Sequence, residues 1–415
     1  MTLRSVVVAP GRHTAWFGYG AGDTPAREVT LPGRGDPVGG DLSAFSRHLC
    51  FQPGTVVFQD LPGLTPEAFT ALLRDHGWKT TDAAIEHQSG WWTCTQDERE
   101  VHVSVRAWQT SREPFLDDAA PAAMARRLAW WHDTTGQPYR TSLGVATVAT
   151  ILASLREMGD GKDKGVPTLV LRDWDAKTKV MGQGDIHYRT TKPHNAETVW
   201  QWDMRSAYLA SAAQAYLAYG PLRNTGNLPA DTNTGPAAGY YRIIVDDAFR
   251  LVLNPNRIER DGSTWCTHEM IRYLRELGHA PLTVDSWTAR TSGRLLRTWA
   301  EWWRDLQAGH PRQGEYLKAG YAQAFGMMAS PGGLLYRRDW NHAIEDRTRV
   351  SLLRRIGRLD ARYPVLRINV DAVQFAEGTY ADRDAIAEMI GEGPHIGNMK
   401  FEGMKPWDKP KKRKR

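Results

Sequence analysis

The sequence predicts an α+β protein, and three observations carry that prediction. Short β-branched or aromatic runs bounded by Gly and Pro recur along the chain, as strands do. Between them lie longer stretches with apolar residues at helical spacing and recognisable caps. In the second half, strand-like runs such as Val365–Val370 and Val373–Ala376 sit close enough together to pair antiparallel. With 415 residues, 41% hydrophobic and 24% charged, the chain has material for two to three domains, and a wholly disordered chain is excluded.

Taken in order, Ser5–Val8 and Thr55–Phe58 read as strands. Thr65–Trp78 reads as a helix, with Thr65 as cap, Pro66 at the first position, Glu67 in the first turn and Gly77 at the end. Trp91–Cys94 and Val101–Val105 form a hairpin pattern, and helices are expected over Ala122–His132 and Val145–Met158. The polar, glycine-rich Gly159–Gly165 marks a first domain boundary. Beyond it come a strand ending at Asp203, a helix over Ser206–Tyr219, a Gly/Pro/Asn-rich loop and a strand at Tyr240–Val245. A helix follows at Thr267–Leu277, then two helices at about 292–308 and 314–329, whose short Gly309–Gln313 connection makes a helical hairpin. A further helix is expected over 345–361, ahead of the two closing strands. No internal repeat is visible.

Charge narrows the partners. The formal net charge of +6 comes from 53 basic and 47 acidic residues. The last seven residues, Lys409–Arg415, hold six of the basic ones, so the rest of the chain balances at 47 against 47. The basic character therefore belongs to a tail, of the kind that contacts polyanions or stays solvated. Mean hydropathy is −0.51 and no apolar run approaches a membrane span. Three cysteines in no paired spacing argue against a disulfide framework and fit a reducing compartment. The start of the chain lacks the apolar core of a secretory signal, so a cytoplasmic location is expected. The 13 histidines include no H-x-x-x-H pair, and no zinc site is expected.

Three constellations could carry chemistry. In Asp203-Met-Arg-Ser-Ala-Tyr-Leu209 an acid ends an apolar strand and a polar turn leads into a helix, an edge able to hold a divalent cation and a phosphate together. Alone, it also fits a plain helix cap by Asp203 or Ser206. In Ile368-Asn-Val-Asp-Ala-Val-Gln-Phe375, Asn369 and Asp371 interrupt two apolar segments, and the cost of burying an unpaired carboxylate puts them at a hairpin tip. Alone, it also fits a simple turn. In Lys318-Ala-Gly-Tyr-Ala-Gln-Ala-Phe-Gly326, one helix face offers an ammonium, a small residue and an aromatic. Alone, that is an amphipathic helix with a surface lysine.

In chain order the three resemble motifs A, B and C of family B DNA polymerases. Asp203-x-x-Ser206-x-Tyr208 resembles motif A, Lys318 through Phe325-Gly326 resembles the fingers helix, and Asn369-Val-Asp371 resembles the Asp-Thr-Asp of motif C. Gly239–Val245 resembles the palm strand after motif A, and Ile396–Glu402, containing Lys400, resembles the Gly-x-x-Lys-x-Glu stretch after motif C. The resemblance covers roughly 196–403 and points to the protein-primed phage or plasmid branch. It implies an RNase H-like exonuclease-type N-terminal domain, then a polymerase palm of antiparallel strands and helices with a helical-hairpin fingers insertion. The expected boundaries are an exonuclease-like domain at 1–158, a linker and palm entry at 159–195, palm at 196–291, fingers at 292–330, palm at 331–390, and a residual thumb with basic tail at 391–415.

The resemblance also implies roles. Asp203 and Asp371 would hold two metal ions, Mg²⁺ or Mn²⁺, for phosphoryl transfer from dNTPs to a primer 3′-hydroxyl on a DNA template. Lys318 would grip the triphosphate, with Arg312 at the hairpin tip as a second cation. Tyr208 would lie under the sugar, Ser206 beside it, and Phe325 and Gly326 near the nascent base pair. Lys400, Lys411, Lys412 and Arg413 would contact DNA. A priming protein or processivity factor is a further expected partner of a monomeric, membrane-free enzyme. The departures have consequences of their own. Asn369 replaces the first motif C acid, while Asp371 supplies the metal-bearing one; Ala322 and Gln323 replace Asn-Ser, and Phe325 replaces Tyr. Only 44 residues separate Gly326 from Asp371, and 44 follow Asp371, which implies weak processivity and weak strand displacement.

Val56–Trp78 resembles the second exonuclease segment of the protein-primed polymerases, but Leu64 stands where an acid is expected and Val6–Gly11 lacks the Asp-x-Glu pair. Asp133 alone could match the last acid. The N-terminal domain is thus expected to lack proofreading chemistry and to serve as a scaffold. The tryptophans at 299, 302 and 303 have helical spacing and are expected to pack in a core. Two other readings stay open, a non-catalytic polymerase-fold DNA-binding factor of replication or telomeres and, less favoured because a nuclease needs no motif B helix, an unrelated two-metal nuclease.

Overall fold

The computed structural model describes residues 3–9, 14–19, 25–30, 54–59, 61, 64–75, 77–80, 90–96, 99–108, 114–117, 120–140, 142–159, 198–227, 231–232, 235–249, 253, 258–331, 334–357, 365–369, 371–376 and 383–406. The basic tail, with Lys411, Lys412 and Arg413, and all of the linker beyond Gly159 lie outside the described residues. The chain divides into two compact units, residues 1–153 with 315–324, and 154–314 with 325–415.

The first unit runs β1 (Leu3–Ala9), β2 (Thr14–Tyr19), β3 (Arg27–Thr30), β4 (Thr55–Phe58), α1 (Pro66–Asp75), β5 (Lys79–Thr80), β6 (Trp91–Gln96), β7 (Arg99–Val105), α2 (Pro114–Asp117), α3 (Pro121–Thr135) and α4 (Leu143–Gly159). Its seven strands form one mixed sheet in the order β3-β2-β1-β4-β7-β6-β5. β1 and β4 pair in parallel, as do β4 and β7. The apolar runs Val6–Val8 and Val56–Phe58 are buried throughout, as central parallel strands covered on both faces must be. Ser5 on β1 donates to the carbonyl of Ala125 at 2.7 Å, tying α3 to the sheet. The α1 signals operate as expected: the Ala68 amide donates to Thr65 Oγ1 at 3.3 Å, and Gly77, at φ +82°, ends the helix in the left-handed conformation.

The second unit begins with β8 (Thr198–Met204), α5 (Ala207–Ala212) and the short strands β9 (Leu217–Ala218), β10 (Arg223–Asn224), β11 (Asp231–Thr232) and β12 (Gly235–Pro236). It continues with β13 (Gly239–Ile244), β14 (Ser263–Thr267), α6 (His268–Glu276), β15 (Thr283–Thr288), β16 (Ser292–Gly293), α7 (Arg297–Gly309) and a 3₁₀ turn at Pro311–Gln313. Then follow α8 (Gly314–Met328), whose residues 315–324 group with the first unit, α9 (Arg338–Ile356), β17 (Val365–Asn369), β18 (Ala372–Ala376), α10 (Arg383–Ile390) and β19 (Met399–Pro406). One antiparallel sheet has the order β17-β18-β8-β19 and another β10-β15-β13-β14.

In the β17-β18-β8-β19 sheet, period-two alternation separates the two faces. Trp202, Met204, Val373, Phe375, Ile368 and Met399 enter a core shared with α6, α9 and α10. Gln201, Asp203 and Gln374 line the opposite face, where the Gln374 amide donates to Gln201 Oε1 at 2.9 Å. β19 lies in the stretch expected as a residual thumb, yet it pairs along β8 as an edge strand of this sheet. The two helices expected over about 292–308 and 314–329 are α7 and α8, joined in sequence by the 3₁₀ turn at Pro311–Gln313. Trp299 and Trp303 are buried with ring centroids 5.2 Å apart, whereas Trp302 is 36% exposed.

Several helix boundaries differ from expectation: the helix expected from about 292 starts at Arg297, because Ser292 and Gly293 form β16. The helix expected over 206–219 stops at Ala212, because Leu217 and Ala218 pair with Gly293 and Ser292 instead. The helix expected at 345 starts at Arg338, because its first turns bury charged residues that disguise the apolar pattern. Among the described residues, no helix is long and apolar enough to cross a membrane.

Candidate active site

The strand that ends in Asp203 is central in its sheet, so its last residues have a neighbour on each side. Asp203 faces Ala372 on β18 and Lys400 on β19. One residue on, the Met204 amide donates to the carbonyl of Asp371 at 3.0 Å. The hairpin turn between β17 and β18 is thereby fastened to the end of β8, and the two acids occupy adjoining strand ends. Both are partly exposed, on a sheet edge that water reaches.

The turn after Asp203 is held from several directions. The Arg205 amide donates to the carbonyl of Asn398 at 2.9 Å, and the Gly397 amide donates to the carbonyl of Arg205 at 2.8 Å. Arg205 Nε reaches the carbonyl of Gly393 at 2.8 Å. Gly397 has φ +85°, a conformation that suits only glycine comfortably. Ser206 caps α5 at φ +46°, the one non-glycine residue with positive φ among the described residues. Such a conformation costs roughly 1 kcal/mol or more and persists because the surroundings enforce it. α9 is the enforcing element: Thr348 Oγ1 lies 2.8 Å from Ser211 Oγ on α5, and Arg355 donates to the carbonyls of Ile390 and Gly397, each at 2.6 Å.

Beside α5 a cleft of about 370 Å³ opens against α7. It is lined by Arg294, Arg297 and Arg304 with one acid, Glu301, by Gln214, and by the apolar Leu209, Ala210, Ala213, Ala300 and Ile396. Arg297 and Glu301 pair at 2.9 Å, and Arg304 pairs with Asp305 at 3.0 Å. Arg294 lies over the Tyr216 ring at 5.1 Å, with Arg272 also against that ring at 4.9 Å. Three arginines against one acid give the cleft a cationic lining that suits a phosphorylated ligand. Sequence reasoning missed these arginines, since arginines on an amphipathic helix read as an ordinary solvent face.

The remaining candidates are placed as follows. Tyr208 is partly buried on α5, Arg312 is exposed in the turn between α7 and α8, and Gly326 is exposed near the end of α8. Lys400 is exposed and pairs with Glu402 at 2.7 Å. Lys318 is exposed on the part of α8 that groups with the first unit. Phe325 is 2% exposed, edge-on to Trp299 at 5.9 Å, with its carbonyl accepting from Asn341 at 3.1 Å. That burial leaves its ring no face for a nucleobase, so the stacking role implied for Phe325 is replaced by core packing.

Among the described residues no three His, Cys, Asp or Glu side chains gather closely enough to hold a metal ion by themselves. The two carboxylates on adjoining strand ends nevertheless suit hard divalent cations, which take oxygen donors and complete their shells with water and phosphate.

No family model matches the chain, and no curated protein matches it. Solved structures do. Phi29 DNA polymerase complexed with primer-template DNA is 11% identical, with a TM-score of 0.50 over 94% of this chain and 81% of that one. The same polymerase with primer-template DNA and incoming nucleotides gives 11% and 0.49 over 94% and 82%. The family B DNA polymerase of the archaeon Pyrobaculum calidifontis gives 11% and 0.37 over 97% and 57%. The first of these likenesses defines the fold: this is a mixed α+β chain with a DNA polymerase-like fold.

Proposed function

We propose that the protein is a DNA-directed DNA polymerase of the family B type that adds dNTPs to a primer 3′-hydroxyl. The observation that carries this reading is the fastening of the Asp371 turn to the strand end that bears Asp203, through the 3.0 Å bond from Met204. In this reading Asp203 and Asp371 hold two Mg²⁺ or Mn²⁺ ions. Bound there, the ions would supply Lewis-acid activation of the hydroxyl and neutralise charge on the leaving pyrophosphate. The 3′-oxygen forms its bond to the α-phosphorus as the bond to the β-phosphate oxygen breaks.

The chain's own residues then bind and orient. Arg297 and Arg304 face the triphosphate across the cleft, Lys318 and Arg312 add cations from the fingers hairpin, and Tyr208 and Ser206 lie against the sugar. Lys400, on the strand beside Asp203, and the basic tail meet the DNA backbone. The first unit is read as an RNase H-like exonuclease-type domain without its chemistry, because the β1 segment Val6–Val8 is apolar and buried and carries no acid. Primer extension with Mg²⁺ or Mn²⁺ tests the proposal. Wild-type protein extends the primer, and Asp203→Asn binds template–primer without extending it. DNA binding with no extension by wild type would instead support a non-catalytic polymerase-fold factor.

A further inference from the structure

The helix that carries Lys318 is gripped at two points by the N-terminal residues. Tyr316 sits edge-on against Phe115, with ring centroids 5.2 Å apart at 88°, and the Arg127 guanidinium lies 5.3 Å over the same Tyr316 ring. Arg127 also donates to the carbonyl of Phe115 at 2.9 Å, which fixes the guanidinium in place. Seven residues along, Gln323 Oε1 accepts a hydrogen bond from the Gly144 amide at 2.9 Å. Gly144 lies in the first turn of α4, where amides have no partner within their own helix. Ser142 Oγ accepts from the neighbouring Val145 amide at 3.3 Å, so α4 is capped partly by itself and partly by a side chain 179 positions away.

These contacts divide α8 by face. Residues 316 and 323 are separated by two helical turns and lie on one side. Leu317, Tyr321 and Ala324 are buried on the next. Lys318, Ala322 and Gly326, at i, i+4 and i+8, form an exposed face, and Gln323 beside it is exposed as well. The grip therefore fixes the rotation of the helix about its axis without covering its lysine face. Gln323 also stands at one of the positions where the sequence departs from motif B.

We infer that Gln323 and Tyr316 are positioning residues, through which the N-terminal domain acts as a splint that sets the orientation of α8 and of Lys318. This inference rests on the polymerase reading for its catalytic consequence, while the splint itself does not. Gln323→Ala removes the acceptor. Gln323→Glu keeps an acceptor oxygen and adds a negative charge, which a helix N-terminus favours.

The test compares both variants with wild type in amide hydrogen exchange and in single-nucleotide extension. In Gln323→Ala, exchange at the start of α4 and along α8 rises by roughly five-fold, the size expected for loss of a cap. KM for dNTP rises several-fold while kcat stays within about two-fold, and Gln323→Glu restores both readouts. Tyr316→Phe keeps the ring contacts and matches wild type, while Tyr316→Ala follows Gln323→Ala. Unchanged exchange in Gln323→Ala overturns the splint. A KM for Gln323→Glu equal to or above that of Gln323→Ala, while exchange stays protected, overturns the positioning role, because a carboxylate that repels the triphosphate would mean direct contact. Should wild type not extend primers at all, the exchange results still decide the splint, and only the polymerase reading fails.

Discussion

The Met204 amide and the Asp371 carbonyl are joined by a 3.0 Å hydrogen bond, and this bond closes the space between two strand ends that the chain separates by more than 160 residues. It fixes where two carboxylates sit without using either.

The cleft between α5 and α7 leads to a prediction about binding. Arg297→Ala or Arg304→Ala raises KM for dNTP by about ten-fold, the value of one charge-assisted hydrogen bond to phosphate, with a smaller change in kcat. Glu301→Gln frees Arg297 from its 2.9 Å partner and lowers KM. Steady-state single-nucleotide kinetics check both, and unchanged KM in both arginine variants would remove the cleft from the nucleotide site.

Glu345 on α9 makes stability depend on pH. Burial first, and then the Asp346 carboxylate, push its carboxyl from 4.5 up to about 7, against the opposing pull of Arg349, Arg338 and Asn341. The folded chain thus holds more protons than the unfolded chain between those values. The stabilisation is complete below about pH 4.5, is lost as pH rises through about 7, and amounts to ~3 kcal/mol. Asp346, also raised by burial, adds in the same direction. Tm should fall from pH 5 to pH 7.5 in wild type and fall less in Glu345→Gln; equal slopes would refute the assignment.

Arg337 gives a second stability prediction. Its guanidinium is fully buried, bonded to both Asp339 oxygens at 2.8 and 2.6 Å and to the carbonyl of Ala218 at 3.0 Å. Arg337→Met strands the Asp339 carboxylate in the interior and costs about 3–5 kcal/mol in urea unfolding. A loss below about 1 kcal/mol would show the network to be dispensable.

The N-terminal unit should show no metal-dependent 3′–5′ degradation of single-stranded DNA, and Asp133→Ala should change nothing in that assay. Degradation by wild type that Asp133→Ala abolishes would restore nuclease function to this domain.

How much of this could be read from the sequence follows from which signals are local. Asp203 and Asp371 stood out because each interrupts an apolar strand, and a carboxylate there belongs at an edge. The α6 limits were legible to a residue, from Thr267 before it and Leu277 after it. The extent of α5 was not, because Ala210-Ser-Ala-Ala-Gln-Ala215 has high helix propensity, yet Leu217 and Ala218 gain more by pairing with Ser292 and Gly293. The start of α9 was hidden because Asp339, His342 and Asp346 are buried; Asp339 pairs with Arg337 two residues before it, whereas His342 meets the distant Tyr240 and Asp346 the distant Thr267, which donates twice to it at 2.9 and 2.7 Å. The role of β19 depends on its pairing with β8, and the burial of Phe325 depends on Trp299; no local pattern shows either.

The most direct measurement is the single-turnover rate of nucleotide addition for wild type, Asp203→Asn, Asp371→Asn and the double variant, on template–primer that all four bind. Two carboxylates acting as one unit predict that each single change lowers the rate at least about 10³-fold and that the double falls little further. Retention by either single variant of a rate within about ten-fold of wild type would contradict the assignment of the site to Asp203 and Asp371.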